Sequence, residues 1–109
     1  MGELKSEEFK VIYLNSNNNI VAEEILFKGT IDRSVIYPRK IIERAIENRA
    51  RALVFVHNHP SGNLKPSRKD IEITIEMQDI LKKMDIELID HIIVSEFDYY
   101  SFYENEIIE

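Results

Sequence analysis

The chain contains no cysteine and no tryptophan among its 109 residues. Without cysteine, neither a disulfide framework nor a thiolate metal site can form, so any bound metal must be held by nitrogen and oxygen donors. Aromatic residues amount to 9%, all of them Tyr and Phe. No apolar run approaches the length of a membrane span. Positive charge is also scarce: 14 Lys and Arg stand against 20 Asp and Glu, a net charge of −6. That balance argues against a general phosphate-binding surface, because affinity for a nucleic-acid backbone comes from Lys and Arg neutralising phosphates. Residues 1–8, Met-Gly-Glu-Leu-Lys-Ser-Glu-Glu, lack the apolar core of a signal peptide. The address expected from these absences is the cytoplasm.

What is present is 44% apolar, enough for the core of one domain. The most informative stretch is His57-Asn58-His59-Pro60-Ser61-Gly62-Asn63-Leu64-Lys65-Pro66-Ser67-Arg68-Lys69-Asp70. It follows Ala52-Leu53-Val54-Phe55-Val56, which reads as a buried strand, and it precedes a long amphipathic helix pattern. Side chains at i and i+2 of a strand point to the same side, so His57 and His59 converge. Pro60 stops the strand, Ser61-Gly62-Asn63 permits a tight turn, and Ser67 is a natural N-cap with Asp70 in the first helical turn. Two imidazoles and one carboxylate make a three-ligand set, and catalytic zinc sites often pair three protein ligands with an open position. Ser67 and Asp70 also resemble a capping box, although Glu or Gln is the usual partner. The two readings are compatible, since one hydroxyl can cap the helix and still face a metal.

In sequence order, residues 9–14 read as a strand, Asn15 to Asn19 as a turn, and Ile20 to Lys28 as a second strand of a hairpin. Residues 31–37 are a connection in which Val35-Ile36-Tyr37 is expected to pack. Ile41, Ile42, Ala45, Ile46 and Ala50 recur at helical spacing from Pro38 onward. Arg39 falls in the first turn, where a cation opposes the helix dipole, so a nearby carboxylate is expected. A second helix spans about 67–84, with its methionines read as core filling. Lys65, Arg68 and Lys69 read as a solvated helix start. Residues 86–94 and 99–103 read as strands. Asp90-His91 lies inside the first of these and reads as a satisfied buried pair rather than a third imidazole ligand. The acidic residues 104–109 are expected to fray.

The segment His57-x-His59, seven residues, then Ser67-x-x-Asp70 resembles the JAMM (MPN-plus) metalloprotease motif. In its fuller form, His-Asn-His-Pro-Ser-Gly followed by Pro-Ser-Arg-x-Asp, it is similar to the RadC family. Phe27-Lys28-Gly29-Thr30, Tyr37-Pro38-Arg39 and Leu88-Ile89-Asp90-His91 extend that resemblance over roughly residues 9 to 105. The elements read in order as β-β-α-β-α-β-β, which implies an α/β domain with a mixed sheet sandwiched by helices. The resemblance implies the JAMM and cytidine-deaminase-like form of that fold. It further implies a zinc-dependent metallopeptidase with His57, His59 and Asp70 as metal ligands. A glutamate outside the metal shell would act as general base, and Glu24 is the residue indicated, with Glu23 as the alternative because a one-residue slip exchanges strand faces. The Ser67 hydroxyl would stabilise the oxyanion of an amide or isopeptide substrate. Asn58 would point away from the metal and fix the loop.

RadC-like proteins commonly carry a helix-hairpin-helix region before this domain, whereas here about eight residues precede the first strand, so residues 1–109 are expected to be one RadC-like domain. A peptide or protein substrate is the expected partner. The alternative is a DNA repair or recombination accessory, or a nuclease-like protein with a structural metal, which would need a basic face drawn from Lys65, Arg68, Lys69, Arg39 and Arg49. A cytidine deaminase is disfavoured, because its site uses His-x-Glu and a Cys pair. The sequence does not specify an oligomeric state.

Overall fold

A computed structural model describes residues 6–29 and 38–109, with the side chains of residues 28 and 29 excepted. The expected packing of Val35, Ile36 and Tyr37 lies outside the described residues, as does Thr30. The elements follow the order expected from the sequence: β1 (Glu7–Leu14), β2 (Ile20–Gly29), α1 (Pro38–Glu47), β3 (Ala52–Asn58), α2 (Arg68–Lys83), β4 (Glu87–Val94) and β5 (Tyr99–Ser101). The sheet is mixed and ordered β2-β1-β3-β4-β5. Strands β3 and β4 are parallel, and every other pairing is antiparallel. Strands β3 and β4 are therefore joined by α2 as a crossover unit, the connection a parallel pair requires.

Alternation assigns the faces, interrupted in β4 where the register slips by one residue between Leu88 and Asp90. Phe9, Val11 and Tyr13 of β1, Leu53 and Phe55 of β3, and Leu88 and Ile93 of β4 form one buried cluster. Both described helices send buried residues into it, Ile41 and Ala45 from α1 and Met77 and Leu81 from α2. The intervening positions Ile12, Val54, Val56 and Ile92 are only half-buried. A β-bulge between Phe9 and Lys10 breaks the period of two, so Phe27 pairs with Phe9 while Ile25 pairs with Lys10.

Local chemistry sets the element ends. Helix α1 begins at Pro38, where the missing N–H costs nothing, and Arg39 meets Glu43 one turn on at 3.2 Å, the carboxylate expected for it. Its last turn closes when Arg49 takes φ 51° and the Ala50 N–H reaches the Ala45 carbonyl at 2.9 Å. The helical spacing that seemed to run to Ala50 therefore stops at Glu47. Ser67 caps α2 in a complete capping box with Asp70, and Asp85 leaves the other end at φ 61°. Strand β5 is shorter than the apolar run 99–103. After Ser101 the chain turns, because Asp90 accepts the Ser101 hydroxyl at 2.6 Å and the Tyr103 N–H at 3.0 Å. Phe102 is thereby tucked inside, fully buried.

Because Leu81 is fully buried where α2 meets the sheet, truncation there leaves a cavity. Leu81→Ala is expected to lower unfolding free energy by about 2–5 kcal/mol, measured by urea denaturation.

Candidate metal centre at the end of β3

In open α/β sheets ligands bind outside the carboxyl ends of the strands, and the carboxyl end of β3 carries the two histidines. His57 is the last core-facing residue of the strand and is 1% exposed. His59 follows two residues later on the same side, just past the strand, and is half-buried. Pro60 ends the strand, and the Gly62 N–H bonds the His59 carbonyl at 2.9 Å to close a turn. Gly62 sits at φ 83°, a backbone conformation that side-chain-bearing residues rarely adopt. The turn brings the Asn63 carbonyl back to within 2.7 Å of His59 Nδ1. A carbonyl oxygen can only accept, so His59 carries its proton on Nδ1 and presents Nε2 as a lone pair.

That Nε2 lies 2.9 Å from Nε2 of His57. Asp70 completes the approach from α2: one carboxylate oxygen is 3.4 Å from His59 Nε2 and the other 3.7 Å from His57 Nε2. Asp70 is held by the helix start, since it accepts the Ser67 N–H at 2.8 Å while Ser67 Oγ accepts the Asp70 N–H at 3.0 Å. The cap and the site are thus one device. The Ser67 hydroxyl accepts in that bond and keeps its own proton available for donation.

A second carboxylate stands at the histidines. Glu7, 5% exposed at the start of β1, places Oε2 3.8 Å from His57 Nε2. Donor atoms of Glu7, His57 and His59 all lie within 4.8 Å of one another, close enough to hold a metal ion. The antiparallel register explains this placement. Phe9 pairs with His57, so Glu7, two residues earlier on the same face, overhangs the end of β3 where His59 emerges. Glu24 instead pairs with Val11, about 13 Å further along the strand direction than Glu7 and one strand further out. Its carboxylate accepts the Tyr13 hydroxyl at 3.2 Å and pairs with Arg44 at 3.3 Å. Glu23 lies with Ile12 on the half-buried face and pairs with Lys10 at 2.7 Å. The structure therefore brings His57, His59, Asp70 and Ser67 together, adds Glu7, and places Glu24 and Glu23 in other ion pairs. One step back along the Phe9-Val11-Tyr13 alternation would have picked out Glu7, an acidic residue on a buried stripe.

Asn58 does point away from the histidines, as alternation requires, but its bonds go to β1 rather than to the loop. Its Oδ1 accepts the Glu8 N–H at 2.7 Å, and its Nδ2 donates to the Ser6 carbonyl at 2.9 Å. Asn58 thus clamps the backbone on both sides of Glu7. The Asp90-His91 reading also changes. Neighbouring strand residues face opposite ways, so Asp90 meets His91 only through the His91 backbone N–H at 2.7 Å. The His91 ring lies inside, with Nε2 2.7 Å from His57 Nδ1.

Burial lowers the pKa of His57 to about 4, outweighing the pull of Asp70. The hydrogen bond with Asp70 raises that of His59 against the opposing effect of burial. Burial tends to raise the pKa of Asp70, yet the bonds from His59 and Ser67 and the nearby His57 hold it well below the usual carboxylate range.

The chain belongs to the family of RadC-like JAB domains, whose profile matches residues 1–107. A protein of Streptococcus sanguinis described as "UPF0758 protein" is 42% identical over 104 residues, covering 95% of this chain and 46% of that protein. Among Escherichia coli proteins, UPF0758 protein YeeS is 44% identical over 108 residues (99% of this chain, 73% of YeeS). UPF0758 protein YkfG is 41% identical over 108 residues (99% of this chain, 68% of YkfG). The chain spans about half the length of the streptococcal relative it matches. Among the described residues no helix is long and apolar enough to cross a membrane.

Asn58→Ala removes the acceptor of a buried N–H, so a loss of about 1–3 kcal/mol in stability is expected. Chemical denaturation reads that loss, and amide exchange at Glu7 and Glu8 should rise with it.

Proposed function

We propose that this domain is a zinc-dependent hydrolase acting on an amide or isopeptide bond of a peptide or protein. The observation that carries the reading is the 2.9 Å approach of two imidazole Nε2 atoms with two carboxylates beside them. Two lone pairs at that distance repel unless a cation lies between them. The hydrogen bond with Asp70 raises the pKa of His59 and so favours positive charge at this point. A divalent metal supplies that charge, and a set of two nitrogens and carboxylate oxygens without thiolate suits zinc. His57, His59 and Asp70 are the ligands. When bound, the metal supplies Lewis-acid polarisation and makes a water nucleophilic near neutral pH.

The chain's own residues do the rest. Glu7, buried against His57 and fixed by the Asn58 clamp, takes the proton of the attacking water and returns it to the departing amine. The Ser67 hydroxyl, its oxygen already accepting from Asp70, donates to the substrate oxygen as charge develops there. Glu24 contributes by holding Tyr13 and Arg44, and so the seat of α1, rather than by proton transfer. Support for the class comes from membership of the JAB-domain family.

Zinc content by elemental mass spectrometry should approach one per chain in the wild type and fall away in His59→Ala. Glu7→Gln is expected to keep the metal and lower peptide hydrolysis by about 10²–10⁴-fold, while Glu24→Gln retains hydrolysis. Wild-type protein that stays metal-free after zinc is supplied would refute the reading. Equal loss of metal in Glu7→Gln would move Glu7 into the ligand set.

The pH dependence has a definite sign. Burial lowers the pKa of His57 and its neighbours lower that of Asp70, so the ligand whose proton competes with zinc over the widest pH range is His59, raised by its bond with Asp70. Zinc affinity by chelator competition should therefore begin to fall above the ordinary imidazole range and lose about tenfold per pH unit below that point. The fall should steepen near pH 4, where His57 also takes a proton.

A further inference from the structure

We propose that Thr74 and His91 are positioning residues that fix which nitrogen of His57 carries its proton, leaving Nε2 bare for a metal. The inference rests on the metal reading above, and it can be separated from it.

The chain of bonds can be followed in one direction only. Thr74 Oγ1 lies 2.6 Å from the Asp70 carbonyl oxygen, one helical turn back. At that separation two acceptor oxygens repel, so the single hydroxyl proton of Thr74 must lie between them. The hydroxyl then has only its lone pairs to offer to His91 Nδ1, 2.6 Å away. His91 Nδ1 is accordingly the donor. A neutral imidazole has one N–H, so His91 Nε2 is an acceptor. His57 Nδ1, 2.7 Å from it, must donate. The proton of His57 is thereby placed on Nδ1, and Nε2 faces His59 and Asp70 as a lone pair.

The surroundings keep His91 neutral and still. It is fully buried, stacks on Phe102 with ring centroids 4.4 Å apart, and meets Phe9 and Phe55 edge-on. Burial, followed by the neighbouring His57, keeps its pKa well below the usual imidazole range. The relay also links the two arms of the site. Asp70 contributes its side chain to the histidines and its carbonyl to Thr74, so the helix turn that presents the carboxylate also sets the tautomer of the opposite imidazole. His59 reaches the same tautomer by another route, through the Asn63 carbonyl.

The test uses the full chain. Two-bond proton–nitrogen spectra of metal-free, nitrogen-15 histidine-labelled protein at alkaline pH should show His57 and His91 protonated at Nδ1 alone. Zinc affinity by chelator competition should fall about 10–100-fold in Thr74→Val, which keeps the shape but loses the hydroxyl. Thr74→Ser, which restores the hydroxyl, should bind as the wild type does. A wild-type spectrum with His57 protonated at Nε2 overturns the relay even if zinc binds. So does wild-type affinity in Thr74→Val, or a loss in Thr74→Ser equal to that in Thr74→Val. Wild-type protein that shows the Nδ1 tautomers yet binds no zinc sustains the relay and defeats the metal reading instead.

Discussion

Two imidazole nitrogens are held within hydrogen-bonding distance of each other, and the surrounding structure is arranged around that constraint. Left alone, such a pair would separate. It is held because each ring is gripped from behind: His59 by the Asn63 carbonyl, His57 by the buried His91. The turn at Gly62 and the apolar cluster under β3 exist at this end of the sheet to supply those grips. Asp70 and Glu7 stand beside the pair and favour positive charge there. Donor atoms of Glu7, His57 and His59 lie close enough together to hold a metal ion.

The carboxylates come from different parts of the fold. Asp70 belongs to the first turn of α2, and the capping box fixes it before any tertiary contact is considered. Glu7 belongs to β1 and reaches the site only because β1 runs antiparallel to β3 with Phe9 opposite His57. Asn58, on the same strand as the histidines but facing the other way, secures that register through the backbone of Ser6 and Glu8. Successive residues 57, 58 and 59 thus serve two faces of one strand: two build the site and the middle one holds the strand that carries Glu7.

Acidic residues elsewhere do structural work. Glu24 and Arg44 join β2 to α1 over the buried Tyr13, and Asp90 gathers the chain after β5 so that Phe102 can close over His91. The net negative charge of the chain is therefore spread among caps, cross-strand pairs and tail contacts. Only Glu7 and Asp70 are committed to the histidines. This division also shows how a carboxylate at a plausible strand position can be excluded from a site by two neighbours that claim it first.

The sequence by itself determined the element order, the strand that ends in His57 and His59, the turn after them, and the cap formed by Ser67 and Asp70. Each of these depends on residues within a few positions of one another, through alternation, turn chemistry or a single helical turn. It also determined that any metal must be held without sulfur. Only the tertiary structure decided that Glu7 rather than Glu24 stands at the histidines, that Asn58 secures β1, and that His91 backs His57 while Asp90 turns outward to the tail. Those contacts join residues as much as 52 apart through strand order and antiparallel register. A register is set by the pairing of whole strands, and neither periodicity nor local propensity encodes which residue of one strand will face which residue of the next.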